Sequence, residues 1–105
     1  MPEKTYAGVS VQVNDEGFFL DHTAWKKEMA AEIAKEEGIE DFGDGHWKVI
    51  EFLQKYKAEN GSMPTIRRLN KLGGIPTKEL YSLFPGGPLK KSSKVAGLPK
   101  PASCV

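Results

Sequence analysis

The 105-residue chain is short of the residues that cross-link a fold or hold a metal: it has one cysteine and two histidines. One thiol cannot close an internal disulfide, so no disulfide framework holds the chain together. His22 and His46 each lack a second ligand at metal spacing, and no metal site is expected. Gly73-Gly74 and Gly86-Gly87 have no phosphate-loop or dinucleotide context, which leaves no cofactor to expect. No apolar run approaches the roughly 20 residues that a membrane span needs, so no membrane partner is expected. Met1-Pro2-Glu3-Lys4-Thr5 lacks the charged and apolar regions of a signal peptide, and the expected location is the cytoplasm, where a thiol stays reduced.

Acid is scarce in the second half. Residues 1–60 carry 13 of the 14 acidic side chains against 7 basic ones, and residues 61–105 carry only Glu79 against 8 basic ones. This asymmetry reads either as ordinary solvated faces or as a basic surface that favours an anionic sulfur species or an acidic partner. What the chain does have is material for one modest core: Trp25, Trp47, five Phe and three Tyr.

Alternation of Val9, Val11 and Val13 predicts a strand over 6–13. Asn14-Asp15-Glu16-Gly17 is turn chemistry, and Phe18-Phe19-Leu20 is expected to pair back as a second strand. A helix is expected over about 23–37, capped by Asp21 or Thr23, with Trp25, Met29 and Ile33 on one face and Gly38 at its end. Asp44 should cap a second helix over about 45–59. Trp47, Ile50, Phe52, Leu53 and Tyr56 make it the most apolar helix and the expected centre of the core. A short helix follows Pro64, and Thr77 caps another that carries Leu80 and Phe84. The pair, joined at Gly73-Gly74, has a helix-turn-helix look. Pro88 opens a last helix to about Ala96, with Leu89 and Val95 as its few anchors. The fold class is therefore α+β, mostly α. It is a compact helical domain over 1–96 with a small N-terminal β-hairpin, a helix-turn-helix-like pair, and a flexible C-terminal arm over 97–105.

Three constellations could carry chemistry. The helix pair with Arg67, Arg68, Lys71 and Lys78 suggests a DNA-binding regulator. Its second helix, however, offers only Lys78, Glu79 and Tyr81 for reading bases, so nucleic acid is not the expected partner. Cys104 with either histidine could form a protease-like pair, but a nucleophile on a mobile arm lacks the fixed geometry that attack requires. The third is the arm itself, Gly97-Leu98-Pro99-Lys100-Pro101-Ala102-Ser103-Cys104-Val105. Pro99 and Pro101 stiffen it, since each fixes its own φ and keeps the preceding residue out of the helical region. Lys100 and the nearby basic residues could favour the thiolate of Cys104. A thiolate attacks sulfane sulfur and can then carry it as a persulfide.

The ending Lys94-Val95-Ala96-Gly97-Leu98-Pro99-Lys100-Pro101-Ala102-Ser103-Cys104-Val105 closely resembles the C-terminal signature of the DsrC/TusE/DsvC family of sulfur-relay proteins. Asp15-Glu16-Gly17-Phe18, His46-Trp47, Ile50-Glu51-Phe52-Leu53, Pro64-Thr65-Ile66-Arg67 and the stretch from Leu80 to Pro88 resemble the family's first turn, central helix and later elements. The resemblance implies that Cys104 is the persulfide-bearing thiol. It also implies that Ser93 occupies the position where the sulfite-reductase partners carry a second cysteine. Beside the resemblance, Gly97, Pro99, Lys100 and Pro101 are read as supporting residues of the arm, and Lys100 and Arg67 as charges near the docked arm or in a partner groove, with a surface salt bridge as the alternative for Arg67. A hydroxyl at position 93 forms no disulfide or trisulfide. That favours a single-cysteine, TusE-like carrier between an upstream sulfur donor and a downstream thiolase acceptor, towards tRNA thiolation. The short stretch between Leu69 and Leu80 looks more like the sulfite-reductase partners, which keeps a gamma-subunit-like partner of dissimilatory sulfite reductase as the alternative. Either role is that of a sulfurtransferase-type relay carrier rather than a stand-alone turnover enzyme.

Overall fold

A computed structural model describes residues 3–100. Pro101 and Cys104 therefore lie outside the described residues. Strands β1 (Glu3–Tyr6) and β2 (Val9–Gln12) pair antiparallel, with Tyr6 opposite Val9. The tight turn between them is Ala7-Gly8, with φ of 51° and 77°. Positive φ at both central residues matches the right-handed twist of a two-residue hairpin. Alanine is an unusual choice there, and its N–H is held at 2.6 Å by the Glu32 carboxylate. The hairpin thus closes inside the stretch expected to be one strand. The expected second strand at 18–20 is reduced to a single bridge between Val13 and Phe19. The Asn14–Gly17 turn does form: the Asn14 carboxamide oxygen accepts from the N–H groups of Glu16 and Phe18.

Five helices follow: α1 (Met29–Glu36), α2 (Asp44–Asn60), α3 (Ile66–Gly73), α4 (Thr77–Leu83) and α5 (Pro88–Val95). Helix α1 starts later than its apolar spacing predicts. His22–Ala24 form a 3-10 turn capped by Asp21, and Trp25 is extended with ψ of 137°. With its backbone extended, Trp25 turns its indole to the end of α5, where the ring N–H donates to the Val95 carbonyl at 2.8 Å. Asp44 is the first residue of α2 and Gly43 is the cap. His46 supplies the capping contact, its Nδ1 accepting from the Gly43 N–H at 3.1 Å. Its Nε2–H donates to the Leu83 carbonyl at 2.9 Å. Both ring nitrogens of this buried histidine are satisfied, as burial of a polar ring requires.

The core gathers Val13, Met29, Ile33, Val49, Ile50, Leu53, Leu69, Leu80, Phe84, Leu89 and Val95. Helix α2 contributes heavily, but α5 is the element that packs against α1, α2 and α4 together. Helix α5 is thus embedded more deeply than its few anchors predict, beside the expected α2 core face of Val49, Ile50 and Leu53. Ser92 and Ser93 explain it: both are fully buried, and both hydroxyls donate to the Leu89 carbonyl, at 3.2 and 2.7 Å. Small side chains that satisfy their own polarity let neighbouring helices approach closely, so α5 buries more than its two aliphatic anchors suggest. Leu72 and Tyr81, on the helix-turn-helix-like pair, stay exposed. No helix among the described residues is long and apolar enough to cross a membrane.

Candidate functional site

The site is the junction where α5 gives way to the arm. A helix ends with four carbonyls that lack helical partners. At α5 these belong to Ser93, Lys94, Val95 and Ala96, and each one meets a donor. The Leu98 N–H reaches back to Ser93 at 2.9 Å, and the Gly97 N–H to Lys94 at 3.0 Å. This is the Schellman arrangement, with Gly97 supplying the left-handed residue at φ 70°. The Val95 carbonyl accepts from the Trp25 indole N–H at 2.8 Å, and the Ala96 carbonyl from the Gln54 side-chain amide at 3.0 Å.

Packing tightens the junction further. A Cβ on Gly97 would overlap the Cβ, Cγ and Cδ1 atoms of Trp25. Glycine is required here twice, for its φ and for its missing side chain. Leu98 is 4 % exposed and joins the core cluster. Gly97 and Leu98, the first two residues of the expected arm, are thus buried against the body. A pocket of about 430 Å³ opens beside them, lined by His22, Trp25, Gln54, Lys57, Ala58, Ala96 and Leu98.

Exposed charge pairs flank the next residues. Lys100 Nζ lies 2.8 Å from Glu16 in the Asn14–Gly17 turn, and Lys90 Nζ on α5 lies 3.7 Å from the same carboxylate. The Lys100 hydrogen bond is the main cause holding the Glu16 carboxyl below its usual range, with both ammonium charges adding to it. The pair is exposed and worth little in stability. Nearby, Lys94 Nζ sits 3.4 Å from Glu37 and 5.3 Å from the centre of the Phe18 ring. The basic residues of α5 thus face the acidic first half of the chain.

The residues named from sequence fall into three groups. Gly97, Pro99 and Lys100 follow the end of α5 directly, and Ser93 contributes its carbonyl to that junction while its side chain is buried. Arg67 stands apart. It is exposed on α3 and lines a cleft of about 400 Å³ with Thr65, Arg68, Lys71 and Leu72. None of those residues takes part in the contacts around Gly97. Cys104 and Pro101 lie outside the described residues. Sequence reasoning missed Trp25, Gln54 and Glu16 as parts of the junction. Gln54 carried a usable signal: it follows Ile50 by four residues and so puts an amide on the core-facing side of α2. Among the described residues no cluster of histidine, cysteine and carboxylates could hold a metal.

Residues 5–105 match the model of the family described as DsrC like protein. The chain is 46 % identical over 105 residues to the gamma subunit of dissimilatory-type sulfite reductase from Nitratidesulfovibrio vulgaris, covering all of both chains. It is 37 % identical over 107 residues to the sulfurtransferase TusE of Salmonella paratyphi A, covering 95 % of this chain and 97 % of that one. A chain in the crystal structure of dissimilatory sulfite reductase I superposes with a TM-score of 0.88 at 40 % identity, covering 99 % of this chain and all of that one.

Proposed function

The chain belongs to the DsrC-like family, and on that premise we propose that it is a sulfur carrier whose sulfur rides on Cys104 as a persulfide. The observation that carries the reading is the junction at the end of α5. Four satisfied carbonyls, a sterically required glycine and a buried leucine anchor a segment that leads, six residues beyond Leu98, to the chain's one thiol. Six residues span at most about 20 Å, enough to enter a cleft in another protein.

The chemistry is thiol exchange. The Cys104 thiolate attacks the outer sulfur of a donor persulfide. An S–S bond forms at Cys104, the donor's S–S bond breaks, and the donor leaves as a thiolate. Delivery repeats the step with an acceptor thiolate attacking the outer sulfur and Cys104 leaving. No net oxidation occurs, and no cofactor is consumed. Lys100 helps to set the charge around the approach to Cys104, and Pro99 and Pro101 stiffen it. Ser93 cannot serve as a second sulfur ligand: its hydroxyl is buried and committed to the Leu89 carbonyl. Sulfur therefore moves between molecules, never within a ring on this chain. Partners are sulfur-relay proteins in the cytoplasm, an upstream donor and a downstream thiolase acceptor, in the manner of a TusE-type carrier.

One observation favours a second reading. The sulfite-reductase gamma subunit matches this chain end to end at the higher identity. In that reading Cys104 enters a cleft of dissimilatory sulfite reductase. Pull-down separates the two: retention of the reductase supports the second, and retention of relay proteins the first. For the carrier reading itself, the protein is incubated with inorganic polysulfide and its intact mass is measured. One added sulfur is expected on the parent chain and none on Cys104→Ala. An equal adduct on both would place the sulfur elsewhere.

A further inference from the structure

We propose that Trp25 and Gln54 are positioning residues for sulfur transfer, fixing the direction in which the Cys104 segment leaves the body; this deepens the carrier reading and rests on it. The two side chains come from different elements, the stretch before α1 and the middle of α2. They converge on consecutive carbonyls, Val95 and Ala96, at 2.8 and 3.0 Å. Gly97 and Leu98 already stop the helix with their own N–H groups. Ending the helix therefore does not require the indole and the amide. What they add is orientation. An indole and an amide are planar, and two of them on adjacent carbonyls set both the tilt and the roll of the last peptide planes. The Trp25 ring also lies where a Gly97 side chain would be, so the backbone at φ 70° has a wall on one side.

Orientation matters because of leverage. A segment stiffened by Pro99 and Pro101 transmits the direction of its root outward. At full reach, about 20 Å for six residues, a swing of about 20° at the root would displace the tip by at most roughly 7 Å. Transfer between two protein cysteines needs the reacting sulfurs within about 3.5 Å and in line. A small polysulfide finds the thiol wherever it points. A persulfide recessed in a protein cleft does not.

The test uses Trp25→Phe, Gln54→Met and the double variant, and compares two donors. With inorganic polysulfide, loading of Cys104 stays within about two-fold of the parent chain, because thiol reactivity is untouched. With persulfidated rhodanese, whose sulfur sits in a cleft, loading of the double variant falls about ten-fold or more. Equal rates with both donors in parent and variants overturn the proposal, and so does an equal loss with both, which marks a merely structural role. A second measurement is independent of sulfur. Nitroxides on Cys104 and on Lys55→Cys report their separation by pulsed dipolar spectroscopy, and the distribution should widen about two-fold in the double variant as the two carbonyl anchors are lost. An unchanged width overturns the positioning role whichever donor the chain accepts. Failure of the parent chain to load from polysulfide instead removes the carrier reading and leaves the width to decide the geometry. If the double variant does not fold, Gln54→Met, which disturbs no ring, carries both measurements, with a smaller loss from rhodanese and a narrower widening expected.

Discussion

Helices α1 and α5 end in the same way and serve different ends. Each stops at a left-handed glycine, Gly38 or Gly97, followed by a buried aliphatic residue, Ile39 or Leu98. Each closes with the same pair of backbone bonds, Ile39 to Ala34 with Gly38 to Lys35, and Leu98 to Ser93 with Gly97 to Lys94. The surroundings differ. A Cβ on Gly38 would meet nothing within 4 Å, and the Glu37 carbonyl beside it is capped by the flexible Lys91 ammonium. Gly97 is walled by Trp25, and its neighbouring carbonyls are held by an indole and an amide. A helix stop needs only the backbone pattern. The added wall and planar donors turn the second one into a socket.

The comparison breaks most visibly at the glycines. Gly97→Ala should cost about 3 to 5 kcal/mol in urea unfolding, since left-handed strain adds to a displaced Trp25. Gly38→Ala pays the strain alone, roughly 1 kcal/mol. Equal costs at the two positions would mean that the Trp25 wall yields freely. Truncating the aliphatic anchors sharpens the shared part: Leu98→Ala and Ile39→Ala should each cost about 2 to 3 kcal/mol by the same measurement. A much cheaper Leu98→Ala would show that the socket does not hold the start of the arm. Trp25→Phe leaves the Val95 carbonyl without its donor and should cost about 1 kcal/mol beyond any packing change. Lys91→Met, at the Glu37 carbonyl, should cost less, because water can replace an ammonium there.

The smallest effect lies at Glu16. Its carboxyl is held low chiefly by the Lys100 hydrogen bond. A lowered carboxyl contributes above its unfolded value and loses that contribution as pH falls through the lowered one. Acid titration of the Lys100 side-chain signals by NMR should therefore show a step below the ordinary glutamate range of about 4.3. Glu16→Gln should abolish the step without a measurable change in melting temperature. A step at the ordinary value would mean that the pair does not form in solution.

Much of this was legible in the sequence, and the reasons for the rest are physical. Helices α2 to α5 follow their apolar spacing, glycine stops and prolines, because those signals are local. The turn at Asn14–Gly17 was legible for the same reason. The hairpin was displaced because Ala7 adopts positive φ under the hold of Glu32, a partner 25 residues away. Helix α1 begins about six residues later than expected, and the extended Trp25 in that stretch bonds to Val95, 70 residues distant. The arm was legible as prolines around one thiol, whereas its socket was not. Trp25 looked like one more apolar residue on a helix face, and the spacing that puts Gln54 on the core-facing side of α2 does not say that its amide meets a carbonyl of α5. Arg67 was picked out as a charge near the docked arm or in a partner groove, and in the structure it lines a cleft with no residue of the socket.

Sulfur carriage on Cys104 is tested most directly by a full transfer cycle followed by mass. The chain is loaded from polysulfide, freed of donor and mixed with a small thiol acceptor. A carrier gains one sulfur at Cys104, located by peptide mapping, and returns to its starting mass as the acceptor becomes persulfidated. Sulfur that never appears on the Cys104 peptide, or that appears there and cannot be passed on, would contradict that role.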